Sequence, residues 1–284
     1  GRARSVPRGH QAPLGPVTAL FALASAFLVG GADYVGGTVS RRASPARLAA
    51  AAQVLGVALI VPIALVVGWT QIRPSDVGWS LASGLAVGVG LAIFYSAMAR
   101  GLISIVAPVT AVTGASVPVA FALLRGERPG VLALVGIAGA IVAIALVSLG
   151  PSADSGGLEV VVLAVCAGVL FGLFFAFLSL PDEDAGLWPV AFSRVGSSVA
   201  LVVLALVVTR GVHPGREFAA QAGVIALLET AAAAFLLLAL QRGPVSVASV
   251  LASLYPVTTT VLAAAVLHER LGRVQLAGVV LALG

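Results

Sequence analysis

Long apolar runs divided by short polar breaks set the rhythm of this chain. Ten such runs can be marked, at 15–40, 46–69, 77–99, 102–124, 130–149, 157–180, 187–209, 218–240, 244–267 and 273–284. Most are about 20 to 25 residues long, and at about 1.5 Å per residue that suffices to cross a hydrocarbon layer of about 30 Å. The breaks are short and carry turn residues and charge, as in Arg41-Arg42-Ala43-Ser44-Pro45 and Gly126-Glu127-Arg128-Pro129. They leave no room for a soluble domain. The expected fold class is therefore an all-α integral membrane protein of ten transmembrane helices. Arg273 to Gly284 would give about 18 Å of helix, so the last helix is expected to be truncated.

A constant offset of 142 residues relates the two halves. It places Ala22 on Ala164, Gly30 on Gly172, Arg100 on Arg242, Gly101 on Gly243, Ser104 on Ser246, Glu127-Arg128 on Glu269-Arg270, Gly130 on Gly272 and Gly136 on Gly278. Alanine and glycine coincide cheaply in so biased a sequence, whereas the charged matches do not. The expected division is a tail at 1–13, a first five-helix repeat at 14–150 and a second at 151–284. Five is odd, so the second repeat enters the membrane from the opposite side, and the expected architecture is a pair of inverted repeats. That symmetry recurs in secondary transporters, because exchanging the conformations of the halves exchanges the side that is open.

The ten spans, the division after the fifth, and the Gly-Glu-Arg-Pro and His-Glu-Arg connectors after spans four and nine resemble the EamA-type branch of the drug/metabolite transporter superfamily. The resemblance covers nearly the whole chain. Many relatives carry Trp-Gly and then Asn in the first span, where this chain has Gly31-Ala32-Asp33. The resemblance implies a plasma-membrane transporter with both termini in the cytoplasm, exporting an amino acid or similar metabolite coupled to protons. It also implies a cavity lined from spans one, three, four, six, eight and nine, in which Tyr95 is included as a candidate. Arginine placement does not orient the chain: seven fall on one side and eight on the other, and the positive-inside rule needs an imbalance.

Composition agrees with lipid as solvent. Sixty per cent of the 284 residues are apolar and ten per cent charged, against about a quarter charged in soluble domains. The basic balance does not point to nucleic acid, because all sixteen basic residues are Arg and fifteen lie in the tail, in connectors or at segment ends. Cys166 is the only cysteine and is expected to be a small buried hydrophobe. His10, His213 and His268 lie in the tail or connectors without partners at motif spacing, so no enzymatic role, metal or other cofactor is expected. There is no P-loop fingerprint. The partners expected are a small-molecule solute, the lipid bilayer and protons, in a monomer or homodimer.

Ionisable groups inside spans are costly and are functional candidates for that reason. There are three: Asp33, Arg194 and Glu229. Glu229 falls near the midplane, with Arg194 about 6 Å away along the membrane normal and Asp33 about 8 Å away on the other side, so an Arg194–Glu229 pair is within reach. Glu229 is read as a proton-coupling or cation site, or as half of a structural pair; Arg194 as an anchor for a substrate carboxylate or phosphate, or as charge balance or a side chain snorkelling to the nearer interface; Asp33 as a site for a proton or an amine, or as a hydrated span end. Spans four and nine carry further polar candidates. Thr113 and Ser116 fall on one face of span four; their counterparts Tyr255 and Thr258, with Ser253 on the neighbouring stripe, are in span nine. One face would line a cavity and the other pack, and hydroxyls can equally bind helices together. Gly84-x-x-x-Gly88 and Gly168-x-x-x-Gly172 are read as close-packing motifs. The acidic run Asp182-Glu183-Asp184 is read as a solvated turn. A flippase-like exporter, or a membrane scaffold that transports nothing, are the alternatives to metabolite export.

Overall fold

The computed structural model describes residues 15–39, 42–100, 103–148, 158–267 and 272–283. Within them the chain is helical throughout, with no strand. The helices are α1 (Pro16–Val39), α2 (Pro45–Val67), α3 (Pro74–Arg100), α4 (Ile103–Leu124), α5 (Val131–Ser148), α6 (Leu158–Leu178), α7 (Trp188–Thr209), α8 (Ala219–Arg242), α9 (Val245–Ala252), α10 (Tyr255–Leu267) and α11 (Arg273–Leu283). Proline opens several of them, where its missing N–H costs no intrahelical bond: Pro45 and Pro74 stand first in α2 and α3, and Pro189 second in α7.

Six helical stretches among the described residues are long and apolar enough to cross a membrane: Pro16–Gly36, Pro45–Val67, Pro74–Phe94, Leu158–Leu178, Trp188–Thr209 and Arg216–Arg242. Val109–Leu124 and Val245–Thr259 are shorter apolar helices. The expectation of ten spans is thus met in its all-helical, multi-span character, with six clear spans. The ninth apolar run is not one helix. It breaks at Ser253–Leu254, between α9 and α10. Pro256 lies just beyond the break and has no N–H to give to the carbonyl of Ala252, so the chain cannot continue the ladder there.

The packing pairs the halves rather than separating them. The most extensive contacts are α3 with α6 and α7, α1 with α8, α4 with α6, and α2 with α7, each crossing from the first half to the second. The 142-residue offset exchanges these contacts among themselves: α1–α8 maps onto α6–α3, and α4–α6 onto α1 against α9 and α10. Side chains facing lipid are large and apolar, such as Leu20, Leu23, Phe27, Val203 and Leu227. Those between helices are small, with Ala22, Ala164, Ala226 and Ala248 fully buried. Without a hydrophobic force between helices in lipid, close van der Waals contact holds them, and small residues allow it.

The glycine pairs show this directly. A β-carbon on Gly84 would stand 1.9 Å from the Ser193 carbonyl oxygen, and one on Gly196 2.6 Å from that of Leu81, so α3 and α7 touch backbone to backbone. Gly168 and Gly172 meet α4 in the same way, 2.6 Å from Thr113 Cβ and 2.4 Å from Val117 Cβ. Both motifs read as packing devices in the sequence therefore sit in helix crossings.

One expectation is corrected. Cys166 is exposed on α6 rather than buried, which places its apolar thiol on the outer wall. The acidic run is the solvated turn expected, with Glu183 and Asp184 exposed, and it is also fastened to its neighbours. Asp182 accepts hydrogen bonds from Arg73 Nη1 at 2.6 Å and from the Asp184 N–H at 3.1 Å, while its own N–H reaches Asp76 Oδ1 at 3.2 Å. The N–H groups of Thr70 and Gln71 both donate to the Asp184 carbonyl. The Asp184 N–H and then the Arg73 guanidinium hold the Asp182 carboxyl below the usual carboxylate range. The connector before α3 is so tied to the one before α7.

Glu127 ties the other connectors. It is buried, and its Oε2 accepts the Ser246 N–H at 3.0 Å, so the Gly-Glu-Arg-Pro connector caps α9. A carboxylate suits a helix N-terminus, where unpaired N–H groups and the helix dipole favour negative charge.

Candidate functional site

A polar cluster lies where α2, α7 and α8 meet. Each of its members occupies an inward helical stripe whose other positions are apolar or small. On α2 the stripe is Ala49, Gln53, Gly56, Ile60, Ala64; on α7 Val190, Arg194, Ser197, Leu201, Ala205; on α8 Ala222, Ala226, Glu229, Ala233, Leu236. Helical spacing of three and four residues aligns each set on one face.

Arg194 Nη1 donates to Glu229 Oε2 at 3.0 Å and to Gln53 Oε1 at 2.5 Å. Gln53 Nε2 donates to the same Glu229 oxygen at 2.8 Å, and Ser197 Oγ donates to Gln53 Oε1 at 2.9 Å. Gly56 makes the cluster possible: a β-carbon there would stand 3.0 Å from Thr230 Oγ1 and 3.3 Å from Arg194 Cδ. The glutamine amide thus bridges an ion pair, accepting from the cation and donating to the anion. The Arg194 side chain keeps 9% of its surface exposed and that of Glu229 25%. The carboxylate, not the guanidinium, presents an open edge.

Asp33 adjoins this cluster from α1. It continues the stripe Ala22, Ala26, Val29, Asp33, opposite the outward Leu20, Leu23 and Phe27. Gly31, two residues before it, faces Leu228, the neighbour of Glu229. Asp33 is exposed, unlike the buried Ala22 and Ala26 earlier on its stripe. Gly30, three residues before Asp33, packs on α10, where an added β-carbon would stand 2.7 Å from the Tyr255 carbonyl oxygen. Asp33 has no hydrogen-bond or ion-pair partner among the described residues.

The fold is a shared one. Twenty-seven solved chains match it. One of these, described only by the words "Crystal structure of protein", superposes with a TM-score of 0.73 over 94% of this chain and 95% of its own, at 17% identity. No curated protein matches the sequence. The family comparison is decisive: the model described as "EamA-like transporter family" matches twice, over residues 17–149 and 158–284. The chain belongs to the EamA-like transporter family. It is accordingly a multi-pass membrane protein with a two-repeat fold, of a family of transporters.

The remaining candidates of this EamA-like chain are dispersed over helix crossings. Thr113 of α4 packs on Gly168, and Thr258 of α10 on Gly30, whose added β-carbon would stand 2.5 Å from Thr258 Cβ. Ser116 Oγ donates to the Val112 carbonyl at 2.7 Å on the exposed side of α4. Ser253 Oγ donates to the Ser249 carbonyl at 2.8 Å, closing the last turn of α9. The side chain of Tyr95 lies outside the described ones. The structure thus joins Arg194 directly with Glu229, while Asp33 stands on α1 and Tyr255 on α10, two helices packed against each other.

Gln53 escaped the sequence reading. A search for charges inside spans passes over a neutral amide. Its signal was present nonetheless: a glutamine on the stripe of Ala49, Gly56 and Ile60 is an amide on a face otherwise small or apolar, and such a group needs partners.

Proposed function

We propose that this chain is a secondary transporter that exports a small metabolite, such as an amino acid, by alternating access, coupled to protons. It acts in the plasma membrane with both termini in the cytoplasm, as a monomer or homodimer. One observation carries the reading. An arginine, a glutamine and two carboxylates are gathered on inward stripes of helices from both halves, and the carboxylates retain accessible surface. Charged groups at membrane depth are expensive, and where they are kept they mark solute and ion paths.

Glu229 is the coupling residue in this reading. Arg194 and Gln53 both donate to one of its oxygens, and its side chain keeps 25% of its surface accessible. Proton and solute then compete for the same carboxylates, and each occupant releases the other. Rearrangement of α2 and α7 against α1 and α8 would expose the cluster to either side in turn.

The test is proton movement in proteoliposomes carrying the protein, with a panel of amino acids and amphipathic cations presented on one side. A solute should drive proton flux that Glu229→Gln abolishes, while the variant still elutes as a folded species. Solute-driven proton flux undiminished in Glu229→Gln would overturn Glu229 as the coupling residue. A correctly folded parent protein that moves neither solute nor protons would overturn the transport reading.

A further inference from the structure

Arg73, Arg100 and Arg194 hold carboxylates, and Arg125 and Arg242 lie over the rings of Phe121 and Phe21. Four other arginines stand together at the end of the bundle where α7 stops and α2 and α8 begin: Arg42, Arg47, Arg210 and Arg216. None of the four has an ion-pair partner among the described residues.

Contacts between the helices make this one surface. Arg47 Nη2 donates to the Thr209 carbonyl at 2.6 Å, and a β-carbon on Gly211 would stand 3.6 Å from the same nitrogen. Arg210 lies between those two residues and so beside Arg47. Val212 and Ala46 pack on one apolar cluster, which lays the connector before α8 along the start of α2. Arg42, Arg210 and Arg216 are exposed, and Arg47 is half-buried with its Nε buried and unpartnered. Glu217, the carboxylate of this connector, turns back over its own loop, 2.8 Å from a β-carbon on Gly215. Asp33 lies six residues before the end of α1, about 9 Å deeper. The patch is therefore strongly positive.

The helix ends act in the same direction. Neither α2 nor α8 has a side-chain cap, so their first N–H groups and dipoles favour an anion here. Arg47 covers a carbonyl at the closing end of α7, which masks the opposite pole. Directly beneath the arginines the outer wall is apolar: Leu206, Val207, Val208 and Val224 are all exposed. A ligand that satisfies both surfaces has an anionic head and hydrocarbon tails. Guanidinium forks match phosphate oxygens, and arginines flanking membrane helices attract anionic lipid.

We propose that this corner binds the phosphate headgroup of an anionic phospholipid. Arg47, Arg210 and Arg216 hold the phosphate, Arg42 adds charge at the rim, and the acyl chains lie on the wall of α7 and α8. The lipid clasps the ends of the three helices that carry Gln53, Arg194 and Glu229, without touching that cluster.

Binding needs no solute and no gradient, so it is tested apart from transport. Native mass spectrometry of the full-length protein, given phosphatidylglycerol and phosphatidylcholine of matched chains, reads preference. Each arginine near an anionic surface multiplies affinity about fivefold, so three give about a hundredfold before screening by salt. Phosphatidylglycerol should be retained at least ten times better, and inorganic phosphate at millimolar concentration should not displace it. The triple variant Arg42→Gln, Arg210→Gln, Arg216→Gln removes exposed side chains only and should lose the preference. Arg125→Gln, Arg128→Gln, Arg273→Gln removes the same charge elsewhere and should keep it. A second measurement on the unaltered protein reads position: phenylglyoxal labelling of Arg210 and Arg216 should fall in phosphatidylglycerol nanodiscs relative to phosphatidylcholine ones, while that of Arg125 and Arg128 does not. The proposal is overturned if the two lipids are retained equally, if inorganic phosphate displaces the lipid, if both triple variants behave alike, or if Arg210 and Arg216 are labelled equally in the two nanodiscs.

Discussion

Replacing Gln53 by leucine isolates the bridge at the centre of the cluster. Leucine is close to glutamine in size and suits the apolar stripe of Ala49, Gly56 and Ile60, so the packing change is small. What is lost is three hydrogen bonds: Arg194 to Oε1 at 2.5 Å, Ser197 to Oε1 at 2.9 Å, and Nε2 to Glu229 at 2.8 Å. Intramembrane side-chain bonds average about 0.6 kcal/mol, which sets a floor of about 2 kcal/mol for three. Two of the three engage charged partners, and such bonds reach about 1.5 kcal/mol each or more, which raises the expected loss to about 4 kcal/mol. The residual Arg194–Glu229 contact at 3.0 Å keeps the loss from exceeding that range. Reversible unfolding in mixed micelles titrated with SDS measures it. A change below about 0.5 kcal/mol would refute the bridge as a structural tie. Ser197→Ala removes one neutral donor and should cost about 0.6 kcal/mol alone. Combined with Gln53→Leu it should add almost nothing, because both act through one oxygen.

Three other predictions concern packing and the connectors. Gly84→Val drives a side chain into the Ser193 carbonyl, 1.9 Å from the new β-carbon; the variant should lose about 3 kcal/mol or more, or fail to accumulate folded, by the same titration. Gly78, with open space around it, should accept alanine with a change within about 0.5 kcal/mol. The Asp182 carboxyl is held low by the Asp184 N–H and the Arg73 guanidinium. A group with a depressed folded value stabilises the fold above its unfolded value, near 3.8, and that contribution is lost as pH falls through the lower folded value. NMR titration of Asp182 should give a midpoint below 3.8, moving up in Arg73→Gln; a midpoint at or above the ordinary value would refute the clamp.

The sequence by itself determined the solvent and the helices. Runs of twenty apolar residues cannot be housed in a soluble fold, and their backbone groups find partners in lipid only as helices or closed barrels. The 142-residue offset made the two repeats legible, because Arg100/Arg242 and Glu127/Glu269 matches are rare by chance in a chain so poor in charge. The Arg194–Glu229 pairing could also be read, since α-helical rise puts the two at neighbouring depths in the membrane. Depth, however, is only one coordinate. Rotation about each helix axis and the choice of neighbour are tertiary properties, and hydrophobic periodicity hardly fixes them when apolar side chains stand on every face of a span. That is why only the assembled structure placed Gln53 between Arg194 and Glu229, turned Cys166 outward on α6, and fastened Asp182 to Arg73. It is also why one apolar run, 244–267, turned out to be two helices, α9 and α10. Within lipid a helix is imposed locally by the backbone, but its facing is decided by contacts, and in this chain those contacts lie almost entirely with the other half.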